Sequence, residues 1–591
     1  MVDNYLGISL SHDASVSLHD TSGKLIFALQ EERISRVKNH YGIPRASLHS
    51  LLEFCKADYL KVVIGSHNEL DFSGASRFLA LLDNNPSMKE GSFTDKSFYI
   101  YPGFKQPVST DPPKFLIERK LLQLISQTAP KIECDFIWEN HHDSHLGCAI
   151  AEASGVPHLL VSLDGAVDGE SGAISVGSRN LQMYNLARVS ELDSLGLLYS
   201  AVTARYNFMP TRHEGKITGL AAFGDDQKIV NLFDDFINVA SGKPNLQYKK
   251  YQTESKYTKI LKKILVLRDT TEPTSMRDFV HNVALLCRKY PDLAFGIQES
   301  LEKSVVEIIS FWRDQTHLKH LSLSGGVFSN VKLNQRITEI SGIKTVKVFP
   351  NMGDGGISAG GVWSYLNRNG QLSQDDLYSD MYLAPPINPL TEIGLAMGDP
   401  MLNVQELNSS ELLGLAAQEV ASNKLVAVHW GEMEFGPRAL GNRSLILDPR
   451  NAEIKISANK RLRRTEFMPF APIVTLEYFD TYFETNNESL QPFFYMTMTC
   501  NVREMYRSQI PAVTHIDGTA RPQIVSSRSN PKIYELLHSY GKLTGLYVLV
   551  NTSLNIHEEP INYSLENSLS ALKRDAFDVL YFENWRIALK N

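Results

Sequence analysis

The sequence predicts an α/β protein built from two domains. Its 591 residues are more than a single hydrophobic core usually accommodates. Strand-like apolar runs alternate with helical patterns on both sides of a polar, proline-containing segment. We therefore expect a first domain over residues 1–370, a linker over 371–400 and a second domain over 401–591.

The individual elements follow from period-two and period-3.6 apolar patterns bounded by turn residues. In the first domain these patterns predict strands at 5–10, 14–18, 24–30, 157–163, 172–176, 321–324 and 345–349, and helices at 297–313 and 333–340. In the second domain they predict a helix at 412–421 and a strand at 425–430. A strand–turn–strand pattern near residues 5–31 recurs at 156–178, which suggests two related half-domains.

The overall composition excludes several classes of protein. A formal net charge of -7 argues against a dedicated nucleic-acid or anionic-membrane binder. No apolar run reaches the roughly 20 residues that span a bilayer, and residues 1–10 lack the basic start of a signal peptide. The five cysteines form no CxxC pair, so neither a disulfide framework nor a cysteine zinc finger is expected. These features favour a cytoplasmic enzyme with no nucleic-acid or membrane partner.

The run from Glu139 to His145 contains three histidines. If this run is helical, His141 and His145 lie one turn apart on one face and can hold a single metal ion. Asp164 and Asp354 each follow a strand-like run at a glycine turn and can add oxygen ligands. Such a set suits Fe(II), Mn(II) or Zn(II) better than Ca(II). The alternative is that these histidines are surface or core residues with no ligand role.

Two further regions indicate binding of phosphorylated ligands. Gly325 and Gly326 end a predicted strand just before a helix, which lets a backbone approach a ligand closely, although a Gly-Gly turn often binds nothing. Arg438 lies in a loop of small residues, where a guanidinium can hold phosphate oxygens with two hydrogen bonds. The basic run 459–464 can also contact an anion, and the alternative is that its side chains form a solvated helix face. Together these patterns predict nucleotide-dependent group transfer from a small phosphorylated donor.

Several motifs then carry a resemblance to a known family. They occur in the order Gly7-Ile8-Ser9, Ser11-His12-Asp13-Ala14-Ser15, Gln30-Glu31-Glu32-Arg33, His141-His142-x-x-His145, Glu214-Gly215-Lys216, Ser324-Gly325-Gly326-Val327-x-x-Asn330, Gly436-Pro437-Arg438-Ala439-Leu440-Gly441-Asn442-Arg443-Ser444, Phe467-Met468-Pro469-Phe470-Ala471-Pro472 and Asn551-Thr552-Ser553-Leu554-Asn555. Nearly end to end, the chain resembles the O-carbamoyltransferases of the nodulation and antibiotic-tailoring family.

This resemblance implies an N-terminal actin-like domain of the Kae1-like (ASKHA) type, followed by a YrdC-like α/β domain. It also implies a reaction in which carbamoyl phosphate and ATP, with Mg(II), form carbamoyl-adenylate in the second domain. The first domain would then transfer the carbamoyl group to a hydroxyl of a small-molecule natural product. A homodimer is possible, and the identity of the acceptor alcohol is not readable from the sequence.

The resemblance also assigns roles to residues. His141, His145, Asp164 and Asp354 match metal ligands, with Fe(II) as the expected ion and Mn(II) or Zn(II) as alternatives. His12 matches a general base beside the acceptor hydroxyl. The other expected catalytic residues are Lys38, Glu214 and Lys216. The residues expected to bind ATP or carbamoyl phosphate are Gly325, Gly326, Asn330, Arg438, Arg443, Lys460, Arg521, Arg528 and Asn551.

Two competing functions stay open at this point. One is carbamoylation of a macromolecule, of the tRNA or hydrogenase-maturation type, although the maturation proteins carry cysteine zinc fingers and the opposite domain order. The other is a nucleotide-binding regulator without turnover. The intact His12, histidine pair and Arg438 loop argue against that regulator.

Overall fold

The computed structural model describes residues 4–65, 113–247, 276–464 and 470–590. Within these ranges the chain forms a mixed α/β structure with several sheets. The strands and helices that the sequence predicts in both parts of the chain are confirmed, and their ends agree to within a few residues.

The first sheet has five strands in the order β3-β2-β1-β4-β5. Strands β1 to β3 are antiparallel neighbours, whereas β4 lies parallel to β1 and β5 lies parallel to β4. The strands are β1 Asn4–Ser9, β2 Ser15–His19, β3 Leu25–Gln30, β4 Tyr59–Ile64 and β5 Glu133–Trp138.

The second sheet repeats this arrangement. Its order is β12-β11-β6-β7-β8, with β6, β7 and β8 antiparallel and β11 and β12 parallel to β6. Its strands are β6 His158–Val167, β7 Glu170–Ser178, β8 Leu181–Ser190, β11 His320–Ser324 and β12 Thr345–Val348; a separate hairpin comprises β9 Ile237–Ala240 and β10 Lys243–Leu246. The repeated topology bears out the two related half-domains that the sequence suggests.

Eleven described helices accompany these sheets. They are α1 Glu31–Ser35, α2 Arg45–Phe54, α3 Pro113–Thr128, α4 His141–Ala151, α5 Leu195–Arg205, α6 Glu214–Ala221, α7 Gln227–Phe236, α8 Met276–Ala284, α9 Asp292–Thr316, α10 Val331–Ile337 and α11 Ile357–Arg368. Helices α4 and α11 cross at glycines. A Cβ at Gly147 would lie 1.9 Å from the Gly360 carbonyl oxygen, so a larger residue there would push apart the helices that place the two histidines.

The C-terminal part contains a mixed sheet of eight strands in the order β13-β23-β22-β14-β15-β21-β16-β20, and a sheet of three, β17-β18-β19. The strands are β13 Leu402–Glu406, β14 Val426–His429, β15 Arg443–Leu447, β16 Ala471–Thr475, β17 Phe483–Glu484, β18 Cys500–Val502, β19 Thr519–Ala520, β20 Gln523–Val525, β21 Val548–Ser553, β22 Val579–Phe582 and β23 Trp585–Leu589. The helices are α12 Pro389–Met397, α13 Ser409–Ala421, α14 Ile454–Arg461, α15 Phe479–Tyr482, α16 Gln491–Phe494, α17 Glu504–Arg507, α18 Pro531–Thr544 and α19 Leu565–Lys573.

The segment before α12 packs against both parts of the molecule. The backbone N–H of Leu25 in β3 donates to the Leu377 carbonyl oxygen at 2.7 Å, and that of Ala28 donates to Leu383 at 3.0 Å. Tyr382 forms a β-bridge with Glu434 in the C-terminal part. Residues 377–383 therefore lie along the edge of the first sheet and connect it to the Arg438 loop. No helix among the described residues is long and apolar enough to cross a membrane.

Candidate metal centre and interdomain basic cavity

The two predicted histidine ligands lie one turn apart at the start of α4, which confirms that this run is helical. Asn140 caps the helix, because its side-chain oxygen accepts from the backbone N–H groups of His142 at 2.8 Å and Asp143 at 3.1 Å. The cap starts the helix at His141, so His141 and His145 face the same way. Both imidazoles are fully buried.

Two aspartates complete a cluster around these imidazoles. The Nε2 atom of His145 lies 2.9 Å and that of His141 lies 3.3 Å from Oδ2 of Asp164, which sits where β6 loses its regular register. Oδ1 of Asp354, in the turn after β12, lies 3.6 Å from His141 and 3.5 Å from His145. One ligand atom from each of the four residues lies within 4.8 Å of the others. The structure therefore brings all four predicted ligands together.

The chemistry of this cluster suits a divalent cation. Among the described residues, no hydrogen-bond donor reaches the buried Oδ1 of Asp354, which leaves a lone pair for a ligand. Burial by itself lowers the pKa of His145, but Asp164 and Asp354 outweigh that effect and raise it to about 9. Burial raises the pKa of Asp164, yet the two imidazoles hold it well below its usual range. Two imidazole nitrogens and two carboxylates fit Fe(II), Mn(II) or Zn(II).

The Gly325–Gly326 turn holds one of these carboxylates. The backbone N–H of Gly326 donates to Asp164 Oδ1 at 3.1 Å. A Cβ at Gly326 would lie only 2.6 Å from that oxygen, and Gly325 has φ of +101° with a Cβ position 2.3 Å from the Leu163 carbonyl. Only glycines allow this approach. In the structure these two residues thus support Asp164, one of the four predicted ligands.

His12 lies beside the cluster, in the turn between β1 and β2. Its Nε2 is 3.4 Å from Asp354 Oδ2, and its Nδ1 is 3.1 Å from Asp13 Oδ2. Burial lowers the pKa of His12, but the Asp354 and Asp13 carboxylates more than offset this and raise it to about 10. The side chain keeps 37% of its surface exposed, so an external group can reach it.

A second feature is a basic cavity of about 340 Å³ between the N-terminal and C-terminal parts. Six of the predicted site residues line it: Lys38, Lys216, Asn330, Arg438, Arg521 and Asn551. The sequence predicts an anion site within the second domain alone. The structure instead builds the cavity from both parts of the chain. Ser329 and Asn330, which follow the Gly325–Gly326 turn, line it and connect it to the metal centre.

The N-terminal part contributes two lysines to this cavity. Lys216 in α6 is buried, and its Nζ lies 5.3 Å from the centroid of the Phe208 ring. Lys38 pairs with Glu32 at 3.1 Å and keeps 30% of its surface exposed. Burial raises the pKa of Glu32, but Lys38 and Arg33 outweigh it and lower that pKa to about 2, so Glu32 is a permanent anion that orients Lys38.

Arg438 is the central contribution of the C-terminal part. Its Nε atom is buried and bonds to no acceptor in the described part of the chain. Burial lowers the pKa of Arg438 to about 10, so the guanidinium remains charged at neutral pH. A half-buried cation with a buried, unused donor beside a cavity is the arrangement expected of an anion site.

The loop that carries Arg438 is held by its neighbours. Glu434 Oε1 accepts from the backbone N–H groups of Leu440 at 2.8 Å and Arg443 at 3.0 Å. Asn551 Nδ2 donates to the Ala439 carbonyl at 3.0 Å, so Asn551 both lines the cavity and holds this loop.

Four further predicted site residues belong neither to the cavity lining nor to the histidine–aspartate cluster and its surroundings. Arg443 is wholly buried and donates from Nη1 to the carbonyls of Trp430 at 2.8 Å and Gly431 at 3.2 Å, so it holds backbone. Lys460 and Arg528 are exposed. Glu214 accepts from Ser200 Oγ at 2.7 Å and from the Thr211 N–H at 2.6 Å, which fixes the start of α6 and thereby places Lys216.

Sequence reasoning missed several residues that do line the cavity. The chain turns at Arg463, with φ of 57°, after α14 has ended, and this turn directs Arg464 onto Thr552 at 2.6 Å. Arg212 pairs with Glu558 at 2.6 Å across the two parts of the chain. The one available signal is position, since Arg212 lies two residues before the Glu214-Gly215-Lys216 motif. Phe467, Met468 and Pro469 of another motif lie outside the described residues.

Comparisons with known proteins agree with this architecture. The family model described as "Carbamoyltransferase N-terminus" matches residues 4–363, and "Carbamoyltransferase C-terminus" matches residues 417–588. The nodulation protein NolNO of Sinorhizobium fredii is 29% identical over 98% of this chain and 81% of its own length. NolO of Bradyrhizobium diazoefficiens is 31% identical over 75% of this chain and 77% of its own. The MJ1051 protein of Methanocaldococcus jannaschii is 28% identical over 99% of both.

Similarity to solved structures is weak. HypF of T. kodakarensis aligns with a TM-score of 0.31 and 12% identity over 64% of this chain and 49% of its own. Component A of the (R)-2-hydroxyglutaryl-CoA dehydratase of Acidaminococcus fermentans aligns with a TM-score of 0.30 and 12% identity over 62% of this chain and 99% of its own. The two family models together cover both sides of the cavity, and by that match the chain belongs to the carbamoyltransferase family and is a transferase enzyme.

Proposed function

We propose that this protein is an ATP-dependent O-carbamoyltransferase. It forms carbamoyl-adenylate from carbamoyl phosphate and ATP in the interdomain cavity and transfers the carbamoyl group to a hydroxyl of a small molecule beside His12. The N-terminal part would correspond to an actin-like domain, which its duplicated sheets support. The C-terminal part would correspond to a YrdC-like domain.

The observation that carries this proposal is the convergence of cations on one cavity. Lys216, Arg438 and Arg521 come from different segments and reach the same space. ATP and carbamoyl phosphate are both polyanions, and their charge requires several cations at close range. The Arg438 Nε atom, buried without an acceptor in the described chain, is the donor that such a ligand would satisfy.

The first chemical step would take place among these cations. Water cleaves carbamoyl phosphate to carbamate and phosphate. A carbamate oxygen then attacks the α-phosphorus of ATP, and the bond to the β,γ-diphosphate breaks to release pyrophosphate. Arg438 and Lys216 would hold the phosphoryl oxygens and stabilise the negative charge that grows in the transition state. Enclosure between the two parts of the chain protects the mixed anhydride from water.

The second step would take place at the metal centre. His141, His145, Asp164 and Asp354 would hold Fe(II), Mn(II) or Zn(II), which supplies a Lewis acid for the phosphate and carbonyl oxygens. A metal ion held by Asp354 would offset the negative charge that raises the pKa of His12. The neutral imidazole would then take the proton of the acceptor hydroxyl as its oxygen bonds to the carbamoyl carbon and AMP leaves. Asp13 orients this imidazole by its 3.1 Å contact to Nδ1.

Separate assays of the two steps test the proposal. The purified chain with ATP and carbamoyl phosphate should release pyrophosphate, measured by an enzyme-coupled assay, because the cavity is sufficient for adenylation. The His12→Ala variant should keep that release within about threefold while its transfer to a hydroxyl falls by about 10²-fold or more, as expected when a general base is removed. Transfer is measured by mass spectrometry as the gain of one carbamoyl unit on candidate alcohols.

Two results would contradict this assignment. Absence of pyrophosphate release by the wild type, with and without acceptor alcohols, would reject the adenylation step and favour a regulator. Equal loss of both steps in His12→Ala would remove the role given to His12. Transfer to tRNA or to a protein instead of to a small alcohol would keep the chemistry but replace the acceptor class.

A further inference from the structure

A buried polar network lies directly behind the N-terminal wall of the cavity. Gln298 and Glu302 lie one turn apart on α9, and both are buried. Gln298 contacts Asn330, which lines the cavity, and Tyr199, which contacts the cavity residue Thr218. None of the expected site residues explains why an amide and a carboxylate are buried at this position.

The direction of each hydrogen bond in this network follows from a backbone group. The Leu333 N–H donates to Asn330 at 3.1 Å, and a backbone N–H can only donate, so the atom it meets is the Asn330 oxygen. The Asn330 nitrogen then faces Gln298 at 2.8 Å and must meet the Gln298 oxygen. The Gln298 nitrogen consequently donates to Asn330 Oδ1 at 3.2 Å and to Glu302 Oε1 at 2.7 Å.

The same reasoning orients the two hydroxyls. Tyr199 lies 2.8 Å from the Gln298 oxygen, which can only accept, so the single hydroxyl proton of Tyr199 is used there. Thr218 Oγ1, at 2.9 Å from the Tyr199 oxygen, must therefore donate its own proton to Tyr199. Thr218 has no proton left for the cavity and presents only an oxygen lone pair.

Asn330 presents the opposite polarity. Its oxygen already accepts from Leu333 and from Gln298, whereas its nitrogen carries two protons and uses one of them on Gln298. The remaining N–H is available to a ligand. The wall therefore offers one donor and one acceptor, and neither can reverse without breaking the bonds that Gln298 makes.

We propose that Gln298 is a positioning residue that fixes this polarity, so that Asn330 donates to one sugar hydroxyl of the bound nucleotide and Thr218 accepts from the other. The two hydroxyls of a ribose suit a wall with one donor and one acceptor, because each hydroxyl can either donate or accept a hydrogen bond. This inference rests on the proposed function, which places ATP in the cavity. Glu302 and Tyr199 hold Gln298 from behind and would act only through it.

Calorimetric binding of ATP, 2′-deoxyATP and 3′-deoxyATP to the full chain tests this inference. The wild type should bind at least one deoxynucleotide about 3- to 10-fold more weakly than ATP, the range that one neutral hydrogen bond provides. Thr218→Val, which keeps the shape but removes the acceptor, should abolish the preference for the one hydroxyl that Thr218 accepts from and leave the contact that Asn330 makes to the other. Gln298→Leu should also abolish it and weaken ATP binding by a similar factor, although Gln298 touches no ligand.

A matched control separates positioning from general damage to the helix. Ser304 is also buried on α9, and Ser304→Ala should retain the ribose preference. Because Gln298→Leu is a core substitution that can impair folding, Thr218→Val at the cavity wall provides an independent test. Circular dichroism of each variant establishes that it is folded before its binding is compared.

The outcomes distinguish this inference from the proposed function. If the wild type binds all three nucleotides equally, or if Gln298→Leu keeps the preference that Thr218→Val loses, the polarity assignment is overturned. Failure to bind ATP would overturn it as well. By contrast, a wild type that binds ATP with the expected ribose preference but releases no pyrophosphate would leave this inference standing and reject the adenylation step.

Discussion

The metal centre and the basic cavity are neighbouring sites built in different ways. All four predicted metal ligands come from residues 141–354, within a single family-matched segment, and each lies on or next to a regular element. The cavity is lined from both segments and largely by loops and helix ends. One site therefore depends on the fold of the N-terminal part, whereas the other depends on how the two parts pack together.

The two sites also differ in how their charges are balanced. In the metal centre, imidazoles and carboxylates neutralise one another, as the depressed pKa of Asp164 indicates. In the cavity, Arg438 retains a buried donor with no acceptor in the described chain. The histidine–aspartate cluster can therefore stay folded without a bound metal ion at small cost in free energy. By contrast, the Arg438 Nε atom would gain an acceptor only when an anion enters the cavity.

The largest effect should come from removing that cation. Arg438→Ala is expected to lower kcat/KM for pyrophosphate release by about 10³-fold, because both the charge and the bidentate geometry are lost. Arg438→Lys should recover part of this loss through charge alone. Metal content, measured by plasma emission spectrometry, should not change, since no metal ligand is altered.

Two exposed cations are matched controls for this prediction. Lys460 and Arg528 are basic residues of the same domain that do not belong to the cavity lining. Lys460→Ala and Arg528→Ala should each remain within about twofold of the wild type, as expected for surface charges. A loss in either control comparable to that of Arg438→Ala would show that the anion site lies elsewhere.

The metal centre lies within one part of the chain and the cavity lies between two parts, and this difference decides how far the sequence predicts each site. His141 and His145 are four residues apart on one helix, so periodicity predicts that they share a face. Asp164 and Asp354 stand at glycine turns that are visible in the sequence, and these two signals together predict the cluster that the structure forms. Alternating apolar runs also mark the strands of both sheets, whereas the repeat between the sheets is faint in the sequence and becomes clear only in their shared topology.

The cavity could be predicted only in part, because its members depend on long-range packing. In the basic run 459–464, helical periodicity gives no reason to prefer Arg464 to Lys460. The left-handed turn at Arg463 decides between them. Arg443 shares a motif with Arg438, yet β15 begins at Arg443 and buries it against backbone carbonyls. No sequence pattern reveals Gln298, whose role depends on residues about 30 and 100 positions away.

A second, smaller effect should separate the metal centre from the cavity. Asp164→Asn removes one anionic ligand and is expected to lower metal affinity by about 10- to 100-fold. Carbamoyl transfer should fall with metal occupancy, whereas pyrophosphate release should stay within about threefold, because the cavity is not touched. Asp314→Asn, an exposed carboxylate on α9, is the control that should change neither. Equal loss of both activities in Asp164→Asn would mean that the two sites act as one.

The smallest expected effect is on the pH dependence of stability, and it follows from two buried carboxyl groups whose pKa values shift in opposite directions. Histidines lower the pKa of Asp164, whereas Glu302 behind the cavity wall meets chiefly an amide, and burial raises its pKa to about 7. An acid with a raised folded-state pKa binds its proton more tightly when folded. Between its unfolded value near 4.5 and about 7, the folded state therefore holds more protons, and stability falls as the pH rises.

Glu302→Gln isolates this contribution from the other titrating groups, because glutamine keeps an oxygen for Gln298 and cannot ionise. Near pH 5 the variant and the wild type should unfold in urea at similar concentrations. At pH 8 the variant should be more stable by about 1–3 kcal/mol, since the wild type then carries a buried, uncompensated charge. A difference that is the same at both pH values, or one that grows as the pH falls, would mean that Glu302 is already ionised in the folded protein. In that case the cavity wall would resemble the metal centre in holding its acid as an anion.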